Sequence, residues 1–150
     1  MTGILRAMSR SVQLPPIARE DIPATLLGCG ISPTPQRVEV AALLLERTQH
    51  LSADQVLARL LESDAPVSKA TVYNTLGLFA ERGLVREVMV DATKVFYDSN
   101  TSSHHHFFNI DDGTLLDVAS DDVVIDQLPA APVGTCTDSV DIVIRVRNLR

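Results

Sequence analysis

The chain has 150 residues, 45% of them hydrophobic, with no tryptophan and a formal net charge of −6. That length suits one ordinary domain or two small ones, and no apolar run approaches the roughly 20 residues a membrane helix needs. Cys29 and Cys136 are too few for a disulfide framework and form no Cys-x-x-Cys pair for a structural zinc, and the apolar stretches around Arg6 and Arg10 are too broken for a signal peptide, so a soluble cytoplasmic protein is expected. The negative charge is uneven: residues 1–97 carry ten basic and ten acidic side chains, and residues 98–150 carry three and nine. A neutral first part can still turn a basic face to phosphates, so net charge does not exclude nucleic acid as a partner.

Residues 1–20, with Pro15 and Pro16, read as a flexible tail, followed by a short helix near Ile22 to Leu27 that Gly28 and Gly30 end. Thr34 and Pro35 then mark a helix start, the first as a side-chain cap and the second at the first helical position. Val38, Ala41, Ala42 and Leu45 recur at i, i+3, i+4 and i+7, which predicts a helix to about Arg47 with one apolar stripe. Ser52 and Gln55 have capping-box spacing, and Val56, Leu57, Leu60 and Leu61 supply the apolar face of a helix from about Ala53 to Glu62. Ser68 caps a third helix, with Val72, Leu76 and Phe79 on one face and Gly83 just past its end. Two β-prone runs, Leu84 to Val90 and Lys94 to Asp98, flank the turn-like Asp91-Ala92-Thr93. Three helices and a hairpin make a winged helix-turn-helix.

After the polar residues 99–103, a second hairpin is expected from His104 to Val118 around Asp111-Asp112-Gly113, then a short helix from Asp121 to Gln127. In the last strand Val140, Ile142, Ile144 and Val146 alternate with Asp141, Val143, Arg145 and Arg147. The expected fold class is α+β: a flexible tail at 1–20, a winged-helix DNA-binding domain at 21–98, a hinge at 99–103, and a small α/β dimerisation and metal- or haem-sensing domain at 104–150. Three strands and one helix bury little area alone, so a homodimer is the natural remedy.

On the third helix the face opposite the apolar stripe is small and polar, formed by Ala70, Asn74 and Gly77 and flanked by Lys69, Thr71 and Tyr73. A helix laid in the major groove needs small residues for close approach, donors for base edges and phosphates, and a methyl or ring against thymine. Ser68, Lys69, Thr71, Tyr73 and Asn74 form the expected contact set on double-stranded DNA, with Arg37 and Lys94 or Arg86 holding flanking phosphates.

Three consecutive histidines, His104, His105 and His106, follow the wing. On a strand, His104 and His106 share a face and His105 points to the other, so the three cannot all bind one ion without distortion. Neutral imidazoles suit iron, zinc or manganese when carboxylates complete the shell, and they also serve as axial ligands to haem. His50, Asp98 and Asp117 are the candidates for completion.

The run from Pro66 to Val85, PVSKATVYNTLGLFAERGLV, together with Thr34-Pro-Gln-Arg37 and His104-His-His106, resembles the ferric uptake regulator family, over nearly all residues from about 25 onward. Tyr-Asn-Thr-Leu after Ala-Thr-Val and a trailing strand like Val140 to Arg147 are most similar to that family's iron response regulator branch. The resemblance implies a homodimeric transcriptional regulator, a repressor in kind, that binds a palindromic operator with Tyr73 and Arg37 near the DNA. It implies that His50 reaches from the DNA-binding domain to a hinge metal site partnered by His106, and that His105 belongs to a second site. The chain departs from the wider family at Phe107 and Phe108, where Asp-x-His is usual, and at Tyr97, where a hinge glutamate is usual. A late histidine ligand is replaced near Val140 or Asp141, and the zinc-binding cysteine pairs are absent. These departures match the iron response regulator branch, whose members respond to haem with reduced DNA binding or loss of the protein, and they make His105 and His106 the haem candidates. Cys29 is followed by Gly30, which leaves that cysteine outside the Cys-Pro haem motif of some members.

The principal reading is therefore an iron- or haem-responsive regulator, with a family regulator answering another divalent metal or peroxide as the alternative. A small metalloenzyme is a remote one, since no His-Glu-x-x-His helix and no nucleophile elbow occurs.

Overall fold

Side-chain caps and glycine turns frame the first helices in the computed structural model, which describes residues 15–64 and 67–150. These fall into two compact units, residues 15–102 and 103–150. Most of the expected N-terminal tail, residues 1–14, lies outside the described residues. Its last part is ordered: Ile17 N–H donates to Leu45 O at 2.9 Å and Arg19–Asp21 forms a 3-10 turn. Helix α1 (Ile22–Gly28) closes through Gly30 at φ +73, with the Gly30 and Ile31 amides donating to Leu27 O and Leu26 O at 2.9 Å each.

Helix α2 (Pro35–Leu45) starts where the sequence places it, Thr34 Oγ1 accepting the Arg37 amide at 3.3 Å, and ends two residues before Arg47. Helix α3 (Ala53–Glu62) carries the full capping box, with Gln55 N–H donating to Ser52 Oγ at 3.2 Å and Ser52 N–H to Gln55 Oε1 at 2.9 Å. Its buried face is narrower than expected, because Leu61 is 58% exposed. At about 100° per residue Leu61 stands roughly 140° around the helix from Val56, beyond the stripe that Val56 and Leu60 bury. Helix α4 (Lys69–Glu81) begins at the Ser68 cap and buries Val72, Leu76 and Phe79 completely. These three join Ile22, Leu26, Val40, Leu44, Val56 and Leu60 in one core.

The wing hairpin forms as expected. Strand β2 (Arg86–Asp91) pairs antiparallel with β3 (Lys94–Asp98), and Asp91 Oδ1 accepts the Thr93 amide and hydroxyl at 2.8 Å each. A further strand, β1 (His50–Ser52), was not expected; it pairs antiparallel with β3 and gives a sheet of order β1-β3-β2. Three residues are too few to show alternation, so nothing in the sequence separates β1 from the turn before α3. Its consequence is positional, because it sets His50 directly opposite Asp98.

In the second unit β4 (His104–Asn109) and β5 (Leu115–Ala119) form the expected antiparallel hairpin. Its turn is held by Asn109 Oδ1 accepting from Asp111 N–H and by Asp112 Oδ1 accepting from Thr114 N–H, both at 2.9 Å, with Gly113 at φ +75. Strand β6 (Val143–Val146), shorter than the predicted Val140 to Arg147 run, lies parallel to β4 and completes the order β5-β4-β6. The helix expected over Asp121 to Gln127 does not form; a 3-10 turn at Ser120–Asp122 takes its place and Val124 is 82% exposed. Val123, Val124 and Ile125 are all β-branched and lose side-chain freedom in a helix, and Pro129 biases Leu128 toward extended backbone. The architecture is α+β, a winged helix-turn-helix followed by a small sheet unit. No helix among the described residues is long and apolar enough to cross a membrane.

Candidate functional site

Donors for a metal ion occur in each unit. In the first, His50 Nε2 lies 3.0 Å from Asp98 Oδ2, and the Asp98 side chain is wholly buried. The other carboxylate oxygen accepts the Asn100 amide at 2.9 Å, and Asn100 Oδ1 in turn accepts from Ser102 N–H at 3.1 Å and its hydroxyl at 2.5 Å. Residues 98–102 thus turn on side-chain acceptors that aim the carboxylate back at β1.

In the second unit, strand alternation does what the sequence requires of it. His104 and His106 share a face with Asp117, which is registered opposite His106, and their Nε2 atoms stand 3.4 and 3.3 Å from Asp117 Oδ1. The two rings meet edge to face with centroids 4.5 Å apart. His105 points away from that pair, and its Nδ1 accepts the Ile142 amide at 3.1 Å, a bond that ties β4 to the start of the β6 segment. All three imidazoles are buried.

Imidazole nitrogen and carboxylate oxygen without thiolate is a donor set suited to manganese, ferrous iron or zinc. Each carboxylate sits within bonding reach of imidazole, so it can serve as a ligand itself or fix the ring that does. Tyr97, where the resembled family has a glutamate, is buried, and burial followed by the charge of Glu87 pushes its phenol above the ordinary value of 10.0. It offers no carboxylate.

The residues expected to meet DNA lie as follows. Ser68 Oγ accepts the Thr71 amide at 3.2 Å, and Ser68, Lys69, Ala70, Tyr73, Asn74 and Gly77 are exposed on α4. Arg37 comes to the same place: it lines, with Thr34, Gln36, Thr71 and Asn74, a cavity of about 260 Å3 between the start of α2 and α4. Of the two wing candidates, Arg86 Nη1 is engaged with Ser102 O at 3.2 Å, whereas Lys94 lines a cavity with Tyr73. Tyr73 differs from expectation in one respect, because its hydroxyl donates to Asp54 Oδ1 at 2.8 Å. Nothing in the spacing singled out Asp54, which reads in sequence only as an acid in the first turn of a helix.

Three helices, the last with an exposed polar face, and a β-wing make this a winged helix-turn-helix protein, joined to a sheet unit rich in imidazole and carboxylate. The profile of the ferric uptake regulator family matches residues 29–139. The chain belongs to that family. A curated relative, the peroxide-responsive repressor PerR of Staphylococcus aureus, is 32% identical over 98 residues, 65% of this chain and 66% of that protein, so the match spans just under two thirds of the relative's length. The fold is similar to a solved structure of the ferric uptake regulator from Pseudomonas aeruginosa with manganese, at TM-score 0.63 and 24% identity over 86% of this chain and 98% of that one. It is also similar to the Campylobacter jejuni peroxide stress regulator, at TM-score 0.56 and 22% identity over 87% and 96%. The matched family is one of regulators, and the metalloenzyme alternative is set aside.

Proposed function

We propose that this chain is a metal-responsive, DNA-binding transcriptional regulator that acts in the cytoplasm as a homodimer on a palindromic operator. The observation that carries the reading is the pair of largely buried histidine–carboxylate groups whose members flank residues 99–103 in sequence. Asp98, bound to His50, lies four residues before the end of the first unit, and His104, sharing Asp117 with His106, lies at the second residue of the other. An ion that drew donors from both groups would bind with an energy that depends on how the units are arranged, which is the coupling a sensor requires. Half-sites lie about one helical turn apart, or a multiple, so the spacing of two recognition helices decides affinity.

The donor set favours an ion over haem as the direct ligand. An axial imidazole must present its nitrogen to an open slot, whereas His104 and His106 aim theirs at a shared carboxylate. Iron is the leading ion, from the resemblance to the iron response regulator branch at Tyr97, Phe107 and Phe108. Haem, with His105 and His106 as its ligands, is the second reading, and it rests on the resemblance to that branch alone. A peroxide-responsive reading is favoured by the naming of the Staphylococcus aureus relative. The dimer is supported by one face of the second sheet, where alternation and register place Phe107, Leu116, Ile144 and Val146 together and leave Leu116 62% exposed.

The test uses the full-length protein and a duplex enriched by it from a random-sequence pool. Binding is titrated with manganese, ferrous iron, zinc and haem added separately, and peroxide is added to the iron-loaded sample. A response to at least one of these, lost in His50→Ala and in His106→Ala, is expected. A flat response to all leaves a DNA-binding protein without a sensor, and the proposal then fails.

A further inference from the structure

Tyr73 is 42% exposed on the face of α4 that the DNA-binding reading assigns to base edges. Its hydroxyl donates instead to Asp54 Oδ1, across to the first turn of α3. Lys69 Nζ stands 5.6 Å from the ring centroid. The ring also lines a cavity of about 350 Å3 shared with Ser52, Asp54, Thr93, Lys94 and Tyr97. A half-exposed ring beside open space is not held in one rotamer by packing, so the tether between two helices is what restricts it. That hydrogen bond raises the phenol above its ordinary value of 10.0, so the hydroxyl keeps its proton and its donor stays committed to the carboxylate.

A carboxylate is an unfavourable neighbour for a surface that meets phosphates, since it repels them. Its presence beside the recognition helix calls for a compensating role, and the geometry supplies one. We infer that Asp54 is a positioning residue for DNA recognition, holding Tyr73 so that its ring rather than its hydroxyl is offered to the bases. This rests on the DNA-binding reading above. With the donor committed, Tyr73 contributes apolar contact, such as that with a thymine methyl, and not a hydrogen bond to a base.

The test uses the full-length protein with manganese chloride and a duplex enriched by the wild type from a random pool. Asp54→Ala and Tyr73→Phe should each weaken binding roughly five-fold, the effect of one net hydrogen bond, and the double variant should be no weaker than either. Asp54→Asn, whose side-chain oxygen still accepts, should restore most of the affinity. The chain has two tyrosines, so ring-labelled NMR separates Tyr73 from Tyr97. The Tyr73 signal should move in Asp54→Ala and return in Asp54→Asn. Tighter binding by both Asp54 variants overturns the inference, because the acid would then only repel phosphate. A lower melting temperature with an unmoved Tyr73 signal also overturns it, since Asp54 would then act only on the start of α3. If the wild type enriches no duplex, the DNA-binding reading itself falls and takes this assignment with it, an outcome distinct from wild-type binding that Asp54→Ala leaves unchanged.

Discussion

His50 and Asp98 face each other across β1 and β3, and Nε2 of the imidazole lies 3.0 Å from Oδ2 of a wholly buried carboxylate. A metal ion binding at His50 must therefore either share that carboxylate or use it to fix the ring. Asp98→Asn keeps the shape and an oxygen for the Asn100 amide but removes the charge. Manganese affinity should fall by about 10- to 100-fold, the usual cost of losing an outer carboxylate partner and a lower bound if Asp98 is itself a ligand. Calorimetric titration with manganese chloride measures it, and unchanged affinity would remove Asp98 from the site.

His105 and His106 are adjacent in sequence and should separate in function. His106→Ala removes one of two imidazoles on Asp117 and should abolish the ligand effect on DNA binding while leaving the dimer, read by gel shift and by sedimentation. His105→Ala should instead leave the half-buried Ile142 amide without its imidazole acceptor, at a cost of about 1 kcal/mol read by thermal unfolding. Loss of a bound ion in His105→Ala would place this residue in a second site, as the family resemblance suggests.

Much of the fold is legible in the sequence, and the gaps have physical causes. The caps at Thr34, Ser52 and Ser68 are local chemistry, and each accepts the amide three residues on. The division of the histidine triplet between two faces followed from the pleat alone. Strand β1 was hidden because its pairing with β3 is non-local and its length shows no period. The helix expected at Asp121 to Gln127 does not form because three consecutive β-branched side chains, Val123, Val124 and Ile125, resist it. The bond from Tyr73 to Asp54 is invisible in sequence because the two residues are nineteen positions apart on different helices.

Gly30 sits at φ +73, and a Cβ built there would come 2.8 Å from Arg82 Nη1, which itself donates to Gly30 O at 3.1 Å. Gly30→Ala should cost about 1–2 kcal/mol for the left-handed backbone alone, plus the displacement of the guanidinium. In Gly30→Ala/Arg82→Ala the clash is gone, so the double variant should lose less than the two single losses together. Denaturant melts of the three variants measure the coupling. Strict additivity would mean that the Arg82 side chain swings aside freely.

The turn between β4 and β5 gives a pH signature. The hydroxyl and amide of Thr114 hydrogen-bond Asp112 and hold its carboxyl below the ordinary value of 3.8. A carboxylate with a depressed folded-state value adds stability above its unfolded value, and that stability fades as pH falls through the folded one. Asp112→Asn should therefore melt below the wild type at neutral pH, and the gap should close beneath pH 3.8. A gap that persists in acid would assign the loss to the amide's geometry rather than to charge.

Arg37 and Asn74 line one cavity at the start of α2, yet they should fail in different ways. Arg37 carries a charge that a phosphate can neutralise, and its Nη1 is steadied by Ser32 O at 3.0 Å. Arg37→Ala should weaken binding to enriched and scrambled duplexes alike and reduce the slope of log affinity against log salt by about 1. Asn74 is uncharged and can pair in bidentate fashion with an adenine edge. Asn74→Ala should leave the salt slope unchanged and lose about 1–3 kcal/mol only on the enriched sequence. Binding isotherms at several salt concentrations on the two duplexes decide the matter. If both variants shift the slope equally, Asn74 contacts backbone, and base readout on this face must come from Lys69, Thr71 and Tyr73.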